Sequence, residues 1–92
     1  MILKLTEINT DYAIPFNYVK ISRCNYELAF GSTTIVYECG NLDDKEKFIA
    51  SRDSETIHIE PGTVADLFGK VSPEIDSYNI LMARAGYEGE LV

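Results

Sequence analysis

The chain has 92 residues, of which 46% are hydrophobic and 25% are charged, and its formal charge is −7. This length is typical of one small domain, and the composition is that of a folded protein and excludes a disordered chain. No apolar run approaches the roughly 20 residues of a membrane helix. The first residues also lack the layout of a signal peptide. We therefore expect a single cytoplasmic domain over residues 1–92.

The negative charge is unevenly distributed along the chain. Residues 1–52 carry seven acids and six bases, whereas residues 53–92 carry eight acids and two bases. A chain with this charge repels nucleic acid and anionic membranes and is attracted to basic surfaces. The alternative is that the acids only keep a small protein soluble.

The first two strands are predicted from alternating apolar residues. Residues 1–8 alternate in this way, and a longer β segment begins at Phe16. Within that segment the apolar positions are odd at 19–21 and even at 26–30. Because strand side chains alternate strictly between faces, this change predicts a turn or a β-bulge near residues 23–25.

The two cysteines bear on the register of the next hairpin. Gly31 and Ser32 predict a tight turn into a strand that continues to Cys39. If the preceding strand is unbroken, this turn places Cys24 opposite Cys39. A disulfide is unexpected in the cytosol, so we favour two separate thiols that fill space.

The segment after the third strand is ambiguous between helix and strand. Asp43 and Glu46 form a helix-capping pair, but too few apolar residues follow for an amphipathic helix. We therefore prefer a hairpin with a strand at 47–52, a turn at 53–54 and a strand at 55–60.

The last third of the chain has the signals of two helices, at about 64–70 and 73–85. Ser72 is a favourable N-cap before proline, and Gly86 is a favourable terminating residue. The residues after Gly86 either fray or dock on the sheet. The expected fold is α+β, with a mostly antiparallel curled sheet of about five or six strands over residues 1–60 followed by the two C-terminal helices. Its expected core is Leu3, Leu5, Val19, Ile21, Leu28, Phe30, Ile35, Ile57, Ile59, Leu67, Ile75 and Leu81.

Residues 61–67, Pro-Gly-Thr-Val-Ala-Asp-Leu, provide one resemblance to a known family. The stretch resembles the strand-to-helix step of ubiquitin-like sulfur-carrier domains. That family requires a C-terminal diglycine, whereas this chain ends in Glu90, Leu91 and Val92. No function is carried over from the resemblance.

The sequence contains no enzyme motif such as GxSxG, a P-loop, GxGxxG or HExxH. His58 is the only histidine, and Glu60 is the carboxylate that would orient it, but no nucleophile completes such a set. Two cysteines without a CxxC motif do not predict a zinc site. We therefore predict no enzymatic activity, no metal and no cofactor.

The predicted function is that of a non-enzymatic, acidic protein-binding module. It would dock on the basic, nucleic-acid-binding surface of a partner protein, as phage- or bacteria-encoded inhibitors that mimic nucleic acid do, without binding nucleic acid or membrane itself. The alternatives are a structural subunit that forms a homo-oligomer and, ranked last, a small enzyme using His58. Exposed tyrosines and acids are typical anchors and steering groups of such interfaces. The candidate partner-binding residues are Asp53, Glu55, Glu60, Asp66, Glu74, Asp76, Tyr87 and Glu88.

Overall fold

The structure is a computed structural model that describes residues 1–11, 14–26, 32–60 and 72–92. It contains a six-stranded antiparallel sheet and, among the described residues, one helix. The expected α+β fold with a mostly antiparallel sheet is confirmed, whereas the helix predicted at about 64–70 lies outside the described residues. The elements are β1 (Leu3–Asn9), β2 (Phe16–Tyr26), β3 (Thr33–Leu42), β4 (Phe48–Ala50), β5 (Glu55–Ile59), α1 (Pro73–Ala85) and β6 (Gly89–Leu91).

Strand β3 organises one side of the sheet. The strand order is β4-β3-β2-β1-β6, and β5 also pairs with β3. β4 pairs with residues 40–42 and β5 pairs with residues 33–37, both antiparallel to β3. The strand expected at 47–52 is observed over a shorter range, as β4. The alternative of a helix in this segment is wrong.

The expected hairpin between residues 47–52 and 55–60 is wrong. The backbone nitrogen and the hydroxyl of Ser51 both donate to the carbonyl of Cys39, at 2.9 and 3.1 Å. The chain therefore stays alongside β3 instead of reversing at Asp53. This path brings Ile57 and Ile59 to the core side of the sheet, where burial of their side chains stabilises the arrangement.

The predicted irregularity in β2 is confirmed and lies at Ser22. Ile21 is opposite Tyr37, but Arg23 is opposite Val36, so β2 contains one extra residue. The Ser22 hydroxyl donates to the carbonyl of Val36 at 3.2 Å, which helps to satisfy the backbone at the bulge.

The register of β2 and β3 agrees with the favoured interpretation of two separate thiols. Cys24 lies opposite Ile35, and Cys39 lies opposite Val19. The placement of Cys24 opposite Cys39, which was conditional on an unbroken strand, is wrong because the bulge at Ser22 interrupts β2 and the partner of Cys24 lies four residues before Cys39. Both cysteines are free thiols; Cys39 is buried and Cys24 is half-buried.

Helix α1 begins and ends where the sequence predicts. The Ser72 hydroxyl accepts a hydrogen bond from the Ile75 nitrogen at 3.3 Å, and Gly86 has a φ of 79°. The left-handed conformation at Gly86 is one that glycine adopts without steric cost. The apolar side of α1 includes Tyr78 and Leu81, which pack into the core on one face of the sheet.

Most of the expected core is observed. Leu3, Leu5, Val19, Ile35, Ile59 and Leu81 are buried, and Ile21 and Ile57 pack partly buried against them. Ile75 is half-buried, and Leu28, Phe30 and Leu67 lie outside the described residues. Buried core residues that were not expected are Phe16, Tyr37, Cys39, Tyr78 and Ile80.

The C-terminal residues dock on the sheet as β6. Ile2 and Val92 exchange two backbone hydrogen bonds, of 3.1 and 2.9 Å. Gly89 lies so close to β1 that a Cβ atom there would be 2.1 Å from the carbonyl oxygen of Lys4. Glycine therefore permits the close approach of β6 to β1.

Candidate functional site: an acidic end of the sheet

Three connections meet at one end of the sheet. Antiparallel pairing places Asn9 beside Phe16, Leu42 beside Phe48 and Leu5 beside Gly89. The β1–β2, β3–β4 and α1–β6 connections therefore project from the same end. Within it, the Asn41 side chain accepts from the nitrogen of Asn17 at 3.0 Å, which ties the end of β3 to the start of β2.

This end carries a strong negative charge. Its exposed charged residues among those described comprise six carboxylates and two ammonium groups, a formal charge of −4. We call the six carboxylates the acidic loop end. They are Glu7, Asp11, Asp43, Asp44, Glu46 and Glu88.

The β3–β4 turn is fixed by its first acid. Oδ1 of Asp43 accepts from the backbone nitrogens of Lys45 and Lys47, both at 2.8 Å. The Glu46 nitrogen donates to the Asp43 carbonyl at 3.0 Å, and Glu46 has a φ of 60°. This network leaves the Asp44 and Glu46 carboxylates exposed on an ordered turn.

A groove of about 440 Å³ opens between the end of β1 and the α1–β6 connection. Residues 5–11 form one side, and residues 86–88 form the other. Glu7, Asp11 and Glu88 line it, while the described part of its lining includes no lysine or arginine. The groove therefore favours cationic over anionic ligands.

The structure separates the residues that the sequence proposed as one acidic surface. Glu60 follows β5 beside the start of β3, whereas Glu88 lies at the far end of the sheet. Because β3 has ten residues, these two ends are about 30 Å apart. Asp53 is exposed between them, and Glu74 is exposed in the first turn of α1.

The four other proposed residues do not contribute to an exposed acidic surface among the described residues. Asp76 is only 2% exposed, and Asp66 lies outside the described residues. Glu55 and Tyr87 belong to an internal cluster rather than to an open surface. Of the proposed set, Glu88 alone is part of the acidic loop end.

The internal cluster is centred on Arg52, which lies between β4 and β5. Its guanidinium is 3.1 Å from a carboxylate oxygen of Glu55, 3.4 Å from Sγ of Cys39 and 5.2 Å from the ring centre of Phe16. The Tyr37 hydroxyl donates to the other Glu55 oxygen at 2.8 Å. This arrangement accounts for the half-buried position of Glu55, since both of its oxygens are bonded.

Tyr87 closes the cluster from the α1–β6 connection. Its ring packs edge-on against Phe16 and Tyr37, at 6.2 and 6.1 Å between centroids, and its hydroxyl is 3.6 Å from Sγ of Cys39. Burial, followed by the hydrogen bond to Glu55, raises the pKa of Tyr37 to about 12. Burial also raises the pKa of Tyr87.

The cluster favours a structural role over a catalytic one. Cys39 is 1% exposed and Tyr37 is 5% exposed, so a substrate has no direct access to either group. A buried polar group is stable when its bonds are satisfied. The contacts of Arg52 and Tyr87 join the β4–β5 junction to the α1–β6 connection, which supports one side of the acidic loop end.

His58 lies on the exposed face of the sheet. As expected, it points away from Ile57 and Ile59, and its Nδ1 is 3.1 Å from the hydroxyl of Thr34. This contact is to a neutral hydroxyl, whereas a carboxylate partner is what would orient an imidazole as a base.

Sequence reasoning missed five of the six residues of the acidic loop end. All five occur in the first 52 residues, where the numbers of acids and bases are nearly equal. The signal that would have found them is topological. In a sheet of antiparallel neighbours, alternate connections project from the same end.

Among the described residues, no group of histidine, cysteine or acidic side chains is arranged to hold a metal ion, and no helix in this part of the chain is long and apolar enough to cross a membrane. Comparisons with protein-family models, with curated proteins and with solved structures found no match.

Proposed function

We propose that the protein is a non-enzymatic binding module that docks on a basic surface of a partner protein through its acidic loop end. The observation that carries this proposal is the meeting of six exposed carboxylates at one end of the sheet. A concentrated charge of one sign steers a complementary surface and raises the association rate. A partner whose basic surface normally binds nucleic acid fits this chemistry.

The order of the turn at Asp43 adds to this argument. Side chains held on an ordered scaffold lose less conformational entropy on binding than those on a loose tail. Asp44 and Glu46 are presented in this way, so their charges contribute to recognition as well as to solubility.

The test compares two variants with the same net charge. One neutralises the acidic loop end with Asp44→Asn, Glu46→Gln and Glu88→Gln. The control neutralises exposed acids elsewhere with Asp53→Asn, Glu74→Gln and Glu90→Gln. Each variant and the wild type are used to capture partners from an extract of the source organism, and the captured proteins are then titrated individually at low and high salt.

We expect the wild type and the control to retain a basic partner at low salt. The acidic-loop-end variant should bind that partner about tenfold more weakly, and high salt should weaken all three interactions. Equal losses in both variants, or an affinity that does not change with salt, would contradict the proposal. Self-association of the wild type without any captured partner would favour the homo-oligomer instead.

A further inference from the structure

The groove beside β1 narrows the kind of partner that the acidic loop end would take. β6 accompanies β1 from Leu3 to Leu5, and the Thr6 nitrogen then donates to the carbonyl of Glu88 at 2.9 Å. Glu7 and Ile8 come next in β1. Neither has a partner residue in any described strand.

The register between β1 and β2 explains why Glu7 and Ile8 have no partner residue in β2. Lys4 is opposite Tyr18, and Asn9 is opposite Phe16, so β1 has residues 5–8 where β2 has only Asn17. These extra residues of β1 line the groove. A strand segment without a neighbour offers backbone donors and acceptors that another extended chain can pair with.

The side chains around this segment favour a basic ligand over an acidic or neutral one. Ile8 is 59% exposed, although it is a large apolar residue in a strand. Glu7, Asp11 and Glu88 line the same groove, and none of its described lining residues is a lysine or an arginine. An anionic or neutral polar segment would leave these carboxylates uncompensated, whereas a basic segment would pair with them.

We infer that the groove binds an extended, lysine- or arginine-bearing segment of the partner protein alongside Glu7 and Ile8. The inference rests on the proposed function and specifies its contact. Residues 7–9, the last of β1, span about 7 Å in extended form, which is enough to pair with two or three residues of a peptide. Because strand side chains alternate, basic residues at every second position would face the carboxylates while the intervening residues contact Ile8.

The test uses a synthetic ten-residue peptide of alternating lysine and valine. It is titrated into the isotopically labelled wild-type protein at low salt, and amide shifts are recorded by NMR. We expect the shifts to be concentrated at residues 7–10 and 86–88. A second peptide, N-methylated on the backbone amides of its lysines, cannot donate those hydrogen bonds, and a third is N-methylated on its valines. One of the two should bind about tenfold more weakly than the parent peptide.

Two protein variants complete the experiment. Glu7→Gln, Asp11→Asn and Glu88→Gln together should weaken binding of the parent peptide about tenfold. The control with Asp53→Asn, Glu74→Gln and Glu90→Gln should change it by no more than about twofold. The methylated peptides require no change to the protein, so their result does not depend on whether either variant folds.

The outcomes separate the inference from the proposed function. Shifts elsewhere, or equal affinity for the parent and both methylated peptides, would overturn strand addition. The same shifts on concentrating the protein without peptide would indicate a second copy as the occupant and would also overturn it. If the peptide fails to bind but a basic partner is captured in a salt-dependent manner, the groove inference is wrong and the proposed function stands.

Discussion

The hydroxyl of Tyr78 in α1 lies 3.0 Å from the backbone nitrogen of Ile21 in β2 and 3.1 Å from the carbonyl of Met1. It accepts from the first group and donates to the second. Ile21 immediately precedes the bulge in the middle of β2, and Met1 precedes β1, so one side chain of the helix links the two neighbouring strands. Burial raises the pKa of Tyr78.

We expect Tyr78→Phe to reduce the free energy of unfolding by about 1–2 kcal/mol, since it removes both bonds and leaves the Ile21 nitrogen without its acceptor. Urea unfolding followed by circular dichroism measures the change. Tyr18→Phe, which changes a half-buried tyrosine of β2, is the control. It should reduce the free energy of unfolding by less than about 0.5 kcal/mol. Equal losses in the two variants would show that the Tyr78 hydroxyl does not join the strands.

Gly89→Ala should detach β6 from β1. The new Cβ would lie 2.1 Å from the Lys4 carbonyl oxygen, which is backbone and cannot rotate away. We expect faster hydrogen exchange at the amides of Ile2 and Val92, which bond each other across the two ends of the chain.

Gly86→Ala is the matched control for this exchange experiment. Gly86 has a φ of 79° and open space around its Cβ position, so alanine there should cost about 1 kcal/mol through backbone strain alone. It should leave the exchange of Ile2 and Val92 close to that of the wild type. If both variants accelerate this exchange equally, close packing at Gly89 is not the cause.

The two cysteines should titrate as separate thiols. Unfolded protein without reductant should yield two thiols per chain with Ellman's reagent, since Cys24 and Cys39 face different residues. In the folded protein Cys24 should react first, because Cys39 is 1% exposed. Cys24→Ser should leave a folded protein that reacts only as fast as it unfolds. Fewer than two thiols in the unfolded wild type would contradict the observed register.

Alkaline pH should destabilise the fold through Tyr37. The unfolded tyrosine releases its proton near pH 10, whereas in the folded protein burial and Glu55 hold the pKa at about 12. Between these values the unfolded chain binds fewer protons, so the free energy of unfolding falls as the pH rises. Below pH 10 this contribution is fully retained.

Urea unfolding of the wild type and of Tyr37→Phe at pH 9 and pH 11 tests this dependence. At pH 9 the variant should be less stable by about 1 kcal/mol, because it lacks the bond to Glu55. At pH 11 the difference should narrow by up to about 1 kcal/mol, since phenylalanine has no proton to release. A difference that stays constant between the two pH values would mean that Tyr37 does not cause the alkaline loss.

Local patterns predicted the elements well because each is encoded by nearby residues. Alternation identified β1 and β2, and the parity change located the bulge within a residue of Ser22. Ser72, proline and Gly86 together fixed the limits of α1. These signals depend on backbone geometry and capping, which act over a few residues.

Pairing partners were less predictable because they depend on distant residues. Two hydrogen bonds from Ser51 to the Cys39 carbonyl keep the segment after β4 alongside β3. The local sequence near Asp53 does not predict them. The acidic loop end was missed for the same reason. Its carboxylates meet only when the order and direction of the strands are known, and a charge count along the sequence cannot supply either.

The pairing of β1 with β6 has a consequence for the order of folding. Leu3 is opposite Leu91, so this ladder closes a loop of nearly the whole chain, whereas β2 and β3 are joined by a short connection. Loop closure costs more entropy as the loop lengthens, and distant strands therefore pair late. We expect the β2–β3 hairpin to form early and β6 to dock last. The side of the groove formed by residues 86–88 is then completed only in the final step of folding. A partner that needs this groove would therefore bind the folded protein and not its partly folded intermediates.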